Sequence, residues 1–382
     1  MRISQKAKLG DICTIKTGKL DSNAAVEGGK YPFFTCAQET FSIDKFAFDT
    51  EAVLLGGNNA NGIFPLKYYQ GKFNAYQRTY IIESKNRNKV LNKFVYFSLR
   101  PVLNYFKSAS IGAATQYLTK PVLDNLKINL PGIDTQRSII DIVYVYNDLI
   151  DTNRRRIQLL EEAARLLFRE WFVYFRFPGN GKVKIVDGVP EGWKRGKVKD
   201  LGGIVTGKTP SKKNASNFNG AIPFIKTPDM HQSSIIINTE ESLSEMGANS
   251  QKNKYLPPWS ILVSCIGTVG VMAMNLLKAQ TNQQINSVIP KKEIYRYYSF
   301  FCLSQLKPLL EAIGGGSTMA NVNKNKFENL DVIIPPDIIL ENFDQLVDPV
   351  FKQITFLLQQ NQKLAQARDL LLPRLMSGAI EV

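Results

Sequence analysis

Histidine and cysteine are almost missing from this chain of 382 residues, which has one histidine, His231, and four cysteines, Cys13, Cys36, Cys265 and Cys302. A zinc site gathers about four Cys or His ligands at short spacings. Here they are scattered, with no C-x-x-C pair, so no metal site is expected. One histidine also leaves no credible Ser/His/Asp set. Well-separated thiols read as single buried cysteines and suit a reducing cytoplasm. No run of about 18 apolar residues could span a bilayer, and the N-terminal MRISQKAKLGDI lacks the apolar stretch of a signal peptide. A cytoplasmic protein without a membrane partner is expected.

The motifs of nucleotide and methyl-transfer chemistry are missing too. There is no Walker A sequence. Leu256-Pro257-Pro258-Trp259 comes nearest to the Asp/Asn-Pro-Pro-Tyr/Phe loop that grips a flipped adenine. It lacks the polar first residue that would accept the amine hydrogen bond, so it reads as a turn before a strand. Gly314-Gly315-Gly316 follows a helix-like stretch rather than a strand, a poor loop for S-adenosylmethionine. No catalytic residue and no cofactor are assigned.

Positive charge is plentiful. Lys and Arg number 48 against 33 Asp and Glu, a formal +15, with 44% hydrophobic and 21% charged residues. The values are globular, and the basic excess suits a polyanion, nucleic acid first; charge serving only solubility is the plainer alternative.

The chain also repeats itself at roughly 200 residues, too long a period for a solenoid. Asp11-Ile12 with Thr17-Gly18-Lys19 returns as Asp200-Leu201 with Thr206-Gly207-Lys208, and Pro32-Phe33 returns as Pro223-Phe224. AVLLGGNNANG (52–62) returns as SILVSCIGTVG (260–270), and GAATQYLTKPVLDNLKINLP (112–131) as GSTMANVNKNKFENLDVIIP (316–335). The offset grows from 189 to 204, so the second copy carries an insertion, mainly between the second and third landmarks. Short β-rich runs bounded by Gly, Asn or Pro predict a β-rich mixed α/β (α+β) globule in each copy.

A long helix follows each globule. From 134 to 172 no Pro or Gly interrupts, and Ile139, Val143, Tyr146, Ile150, Asn153, Ile157, Leu160, Ala164, Leu167 and Trp171 trace a heptad seam. Such a helix is roughly 55 Å long at 1.5 Å per residue. The second seam reads Ile339, Phe343, Leu346, Val350, Leu357, Leu364, Ala367 and Leu371, with Gln353 and Gln360 as polar members. Pro349 predicts a kink or a late start; Pro373 and Gly378 mark the end. The expected architecture has a globule over 1–133, a helix over 134–177, a globule over 178–336 and a helix over 337–382. The helices would pair antiparallel as a coiled coil between the globules, with pseudo-two-fold symmetry and buried Asn153 fixing the register. Seams packing on their own globules are the alternative.

Over essentially its whole length the chain resembles the specificity subunits of type I restriction–modification systems. The resemblance is most specific in NLKINLPGIDTQRSII, NRRRIQLLEEAARLLFREWF, GIVTGKTPSKKN, LPPWSILVSCIGTVG, NLDVIIPP and LLLPRLMSGAI. It implies two target-recognition domains on two conserved helices, reading double-stranded DNA in two halves. It also implies docking of two methyltransferase subunits, which would hold S-adenosylmethionine, and of motor–nuclease subunits. The family's Gln after the domain-closing Pro is Gln136; the second copy has Leu340 there.

Candidate DNA contacts follow from chemistry. The basic loop Lys208, Thr209, Ser211, Lys212 and Lys213, with Thr17 and Lys19 in the first copy, suits phosphates or base edges. A solvated surface loop is the plainer alternative. Asn58, Asn59, Gln77 and Arg78, matched by Asn282, Gln283 and Gln284, can pair with adenine or guanine, or merely serve turns. Thr115, Gln116 and Tyr117, mirrored by Ser317, Thr318 and Met319, follow Gly-containing turns. Lys120 and Lys324 coincide between copies and suit phosphate. Arg154, Arg155 and Arg156 read as a solvated helix flank or a methyltransferase contact. Two rival functions remain: an enzyme with unrecognised motifs, and a coiled-coil scaffold that reads no DNA.

Overall fold

A computed structural model describes residues 5–59, 64–103, 106, 116–231, 233–314 and 321–382. The chain divides into two compact units, Met1–Ile150 with Lys363–Val382, and Asp151–Gln362.

The first unit is built on a six-stranded sheet. In spatial order its strands are Cys13–Thr17, Thr79–Ser84, Phe48–Gly56, Leu66–Ala75, Tyr31–Phe34 and Phe41–Ile43. All neighbours are antiparallel except Leu66–Ala75 with Tyr31–Phe34. The unbroken apolar run Ala52-Val53-Leu54-Leu55 is a strand covered on both faces. Val53 and Leu55 pack with Leu9, Val95, Phe106 and Leu123, whereas Ala52 and Leu54 pack with Phe34, Phe73 and Ile81. A short ribbon, Gln5–Lys8 antiparallel to Lys127–Leu130, closes the globule just before the long helix.

The second unit repeats this plan with one strand broken. Gly202–Thr206, Ile285–Pro290, Ile261–Ser264, Met272–Asn275 and Ile235–Ile236 form one sheet, and Glu241–Leu243, Phe218–Ile225 and Gln280–Thr281 another. Met272–Asn275 and Gln280–Thr281 together take the place of the ten-residue strand Leu66–Ala75. Asn275 donates to the carbonyls of Pro257 and Leu277, both 2.8 Å, and so holds the interruption. Ile235–Ile236 belongs to the insertion and adds a parallel edge beside Met272–Asn275. The registers otherwise match: Gly56 faces Thr79 as Ser264 faces Ile285, and Gln5 faces Leu130 as Lys194 faces Ile334.

The long helices run Ile133–Phe168, continued by a wider π turn over Arg169–Val173, and Asp337–Ser377. The expected late start at Pro349 does not occur, because the helix is continuous through that residue. Gly378, at φ 76°, ends it: its N–H donates to Leu375 and that of Ala379 to Arg374, a left-handed cap that glycine adopts without steric cost.

In the first unit Ile139, Ile140 and Val143 pack with Leu372 and Leu375 from the other helix and with Phe94, Phe97 and Ile128. In the second, Phe172 meets Phe343 edge-on at 4.9 Å, and Asn153 donates to Gln360 and Asn361 at 2.8 and 3.0 Å. Residues late in one helix therefore meet residues early in the other, and the pair is antiparallel. The first seam is buried at Ile139, Val143, Ile150, Asn153, Ile157, Ala164 and Trp171, with Leu160 and Leu167 half-buried. The second is displaced at its start. Leu346 is 53% exposed while Val347 is fully buried, and the buried line is Leu340, Phe343, Val347, Phe351, Ile354 and Leu357. Gln353 and Ala367 lie at the surface, and Leu364 and Leu371 are half-buried. The cause is local: this end of the helix packs on its own globule through Tyr297, Phe300 and Phe301, which draws in a face that a two-helix seam would leave out.

Candidate nucleic-acid interface

Three segments converge at one end of the sheet in the first globule: the turn after Thr17, the turn 76–79, and the ribbon Asn58–Asn59 with Gln116–Tyr117. Glycine makes the approach possible. A Cβ on Gly18 would lie 2.0 Å from the carbonyl oxygen of Ala75, and one on Gly57 2.6 Å from that of Arg78. The Gly57 N–H donates to Arg78 at 2.7 Å, and the Leu118 N–H to Gly57 at 2.8 Å. Tyr80 donates its hydroxyl to Leu118 at 2.7 Å, and burial pushes its pKa up, so it stays a donor.

The second globule builds the same apex from other side chains. A Cβ on Gly207 would lie 2.1 Å from the carbonyl oxygen of Asn282. The Val322 N–H donates to Cys265 at 2.8 Å, as Leu118 does to Gly57. Asn286 takes the place of Tyr80, donating to the Val322 carbonyl at 3.2 Å. Ile266 bridges Asn321 where Asn58 pairs with Tyr117.

Each apex gathers many of the sequence candidates. Thr17, Lys19, Gln77 and Arg78 are exposed there, and the guanidinium of Arg78 lies 4.9 Å over the Tyr117 ring. Asn58 is half-buried, its Oδ1 without a hydrogen-bond partner among the described residues, and Asn59 pairs with Gln116 through the backbone. In the second globule Lys208, Ser211, Lys212, Lys213 and Gln283 are exposed, and no acidic residue pairs with the three lysines among the described residues. Their loop is held rather than free. Lys208 donates its N–H to Thr281 and accepts from Gln251, Thr209 bonds Gln283 at 2.7 Å, and Asn217 donates to Ser211 at 3.0 Å.

Other candidates sit elsewhere or face inward. Asn282 is 7% exposed and its amide is occupied by Gln284, to which it donates at 2.9 Å. Lys120 and Lys324 open equivalent short helices and pair with Asp124 and Glu328 one turn on. Arg154 pairs with Asp151 on an exposed helix flank. Thr115, Ser317, Thr318 and Met319 lie outside the described residues. The ladder matches Tyr117 with Asn321, an exposed residue that the fourth repeat landmark also aligns with it but that the candidate set, which mirrors Tyr117 with Met319, leaves out.

Two separate stretches, residues 2–162 and 190–365, match the model of the type I restriction modification DNA specificity domain. The chain belongs to this family. It is 32% identical to the HindI specificity subunit of Haemophilus influenzae over 79% of this chain and 80% of that one. It is 36% identical to the EcoDI specificity subunit of Escherichia coli over 46% of this chain and 38% of that one. The crystal structure of a type I S subunit from M. genitalium shares the fold, with a TM-score of 0.59 over 97% of this chain and 96% of that one at 13% identity. Each specificity domain thus carries one apex. The basic excess also lies in the domains, since the helical stretches 133–177 and 337–382 hold at least as many acidic as basic residues. No helix among the described residues is long and apolar enough to cross a membrane.

Proposed function

We propose that this chain is the DNA-reading subunit of a type I restriction–modification complex and has no catalytic site of its own. Each globule reads one half of a bipartite, asymmetric site through its apex. The paired helices set the gap and dock two methyltransferase subunits, and motor–nuclease subunits join that assembly. S-adenosylmethionine is held by the methyltransferase subunits, and the complex works in the cytoplasm, where the DNA is.

One observation carries the reading: a single backbone apex is built twice, with the same close approach at Gly18 and Gly207 and the same carbonyl ties, but with different exposed side chains. A constant frame with divergent tips is what reading two unequal half-sites requires, since phosphate contacts position and base contacts specify. A scaffold would have no use for two exposed, divergent apices rich in Arg, Lys and Gln.

The test uses the purified full chain with duplex DNA and S-adenosylmethionine. The expected result is salt-dependent, sequence-selective binding without methyl transfer, transfer appearing only when methyltransferase subunits are added. Methyl transfer by the chain alone would overturn the non-catalytic reading, and binding without sequence preference would overturn the DNA-reading one.

A further inference from the structure

The two apices differ most where Arg78 stands. By register its counterpart is Gln284, because Phe34 faces Ala75 as Ile225 faces Thr281, three residues before each. Gln284 accepts a hydrogen bond from Asn282 and is half-buried, so its amide serves the turn. Arg78 is exposed, with no carboxylate paired to it among the described residues. Its backbone carbonyl is fixed by the Gly57 N–H, and its guanidinium lies 4.9 Å over the Tyr117 ring. Tyr117 is fixed in turn: it pairs with Asn58, and the next residue, Leu118, is tied to both Gly57 and Tyr80. Asn321, at the position of Tyr117, offers no ring.

Stacking on an aromatic face orients the planar guanidinium fork and lowers the entropy lost when its donors bind. A fork held at an exposed apex, with its charge unpaired, matches a planar pair of acceptors. In the major groove, guanine presents that pair as O6 and N7. We infer that Arg78 is a specificity-determining residue that reads a guanine in the half-site of the first globule, with Tyr117 as its positioning residue. The second globule, lacking both side chains, does not read guanine from this position. The inference rests on the DNA-reading function proposed above. Two phosphate oxygens offer the same bidentate chemistry, and the experiment separates the two sources.

The full chain, alone or with methyltransferase subunits, is incubated with a pool of randomised duplex DNA and the bound molecules are sequenced. The original chain is compared with Arg78→Gln, Arg78→Lys, Tyr117→Ala and Tyr117→Phe. The expected result is one G·C position in one half-site losing about 10- to 100-fold of its preference in Arg78→Gln. The other half-site stays intact, which also shows that the variant is folded. Arg78→Lys loses much of the same preference because a point charge replaces the fork. Tyr117→Ala weakens that one position, and Tyr117→Phe, which keeps the ring, restores it. An unchanged motif, with affinity falling equally on every sequence and retained in Arg78→Lys, would overturn the inference in favour of phosphate. An unchanged motif at unchanged affinity would overturn it outright. If the original chain selected no motif, the DNA-reading function would fall and the inference with it.

Discussion

Lys208, Lys212 and Lys213 project from a loop whose backbone is tied down at Thr281, Gln251 and Asn217. If the chain reads DNA as proposed, a pinned loop whose ammonium groups pair with no carboxylate among the described residues suits phosphate, because a flexible point charge discriminates little between bases. Changing all three to Ala should weaken binding to every duplex. It should also lower the slope of log affinity against log salt by about 0.9 for each phosphate that is no longer neutralised. Weakening confined to the cognate sequence, at unchanged slope, would make them base readers. A second residue-scale test concerns Arg296, which bonds Asp344 and Asp348 at 3.1 and 2.6 Å, with Tyr297 and Lys352 also on Asp348. Burial works against the Asp348 carboxylate, but the bonds from Lys352 and Tyr297 and the charge of Arg296 outweigh it and hold the pKa below its usual range. That stabilisation is present above the ordinary carboxylate pKa and is lost as pH falls through the lowered one. Arg296→Met leaves Asp344 without its cation and Asp348 with only Lys352 and Tyr297, and should cost about 3 kcal/mol in denaturant unfolding near neutral pH, with a smaller difference in acid. An equal loss at both pH values would indicate packing instead. The first copy has Asn92, Ile140 and Tyr144 at the matching positions, so this cluster also distinguishes one globule–helix contact from the other.

At the scale of elements, the helices and landmarks were legible because each leaves a periodic or repeated trace. The first helix shows a clean heptad where it faces mainly its partner. The second misled at Leu346 because its early turns also face Tyr297, Phe300 and Phe301, and a stripe widened by a globule does not reveal which of two adjacent apolar residues is inside. The apex was half legible: Gly, Asn, Gln, Arg and Lys stand out as types, but one step of register puts Asn282 inward and Gln283 outward. The helices can be tested as a ruler. Residues 161–164 are a poor place to lengthen them, since Glu161 bonds Ser234 and Ala164 is buried against the globule. Matched seven-residue insertions after Asp151 and after Asn361 keep the seam. They add about 10 Å at 1.5 Å per residue, or about three base pairs of DNA at 3.4 Å each. Methylation mapping should then show the same half-sites with a gap about three base pairs longer. An unchanged gap in a folded, active variant would mean that the helices do not set it.

At the scale of the whole molecule, one chain carries two versions of one domain, and each unit joins a globule to the beginning of one long helix and the end of the other. The residues that join them in the first unit, Ile139, Ile140, Val143, Leu372 and Leu375, must travel with any transplanted globule, so exchanging residues 1–133 alone would leave a mismatched core. The decisive measurement is methylome sequencing of a strain whose chain has residues 1–133, together with these five contact residues, replaced by those of another family member. The expected result is a bipartite methylated motif in which one half is new and the other half and the gap are unchanged. A motif altered in both halves, or left unaltered by a folded and active chimera, would contradict the assignment of one half-site to each globule.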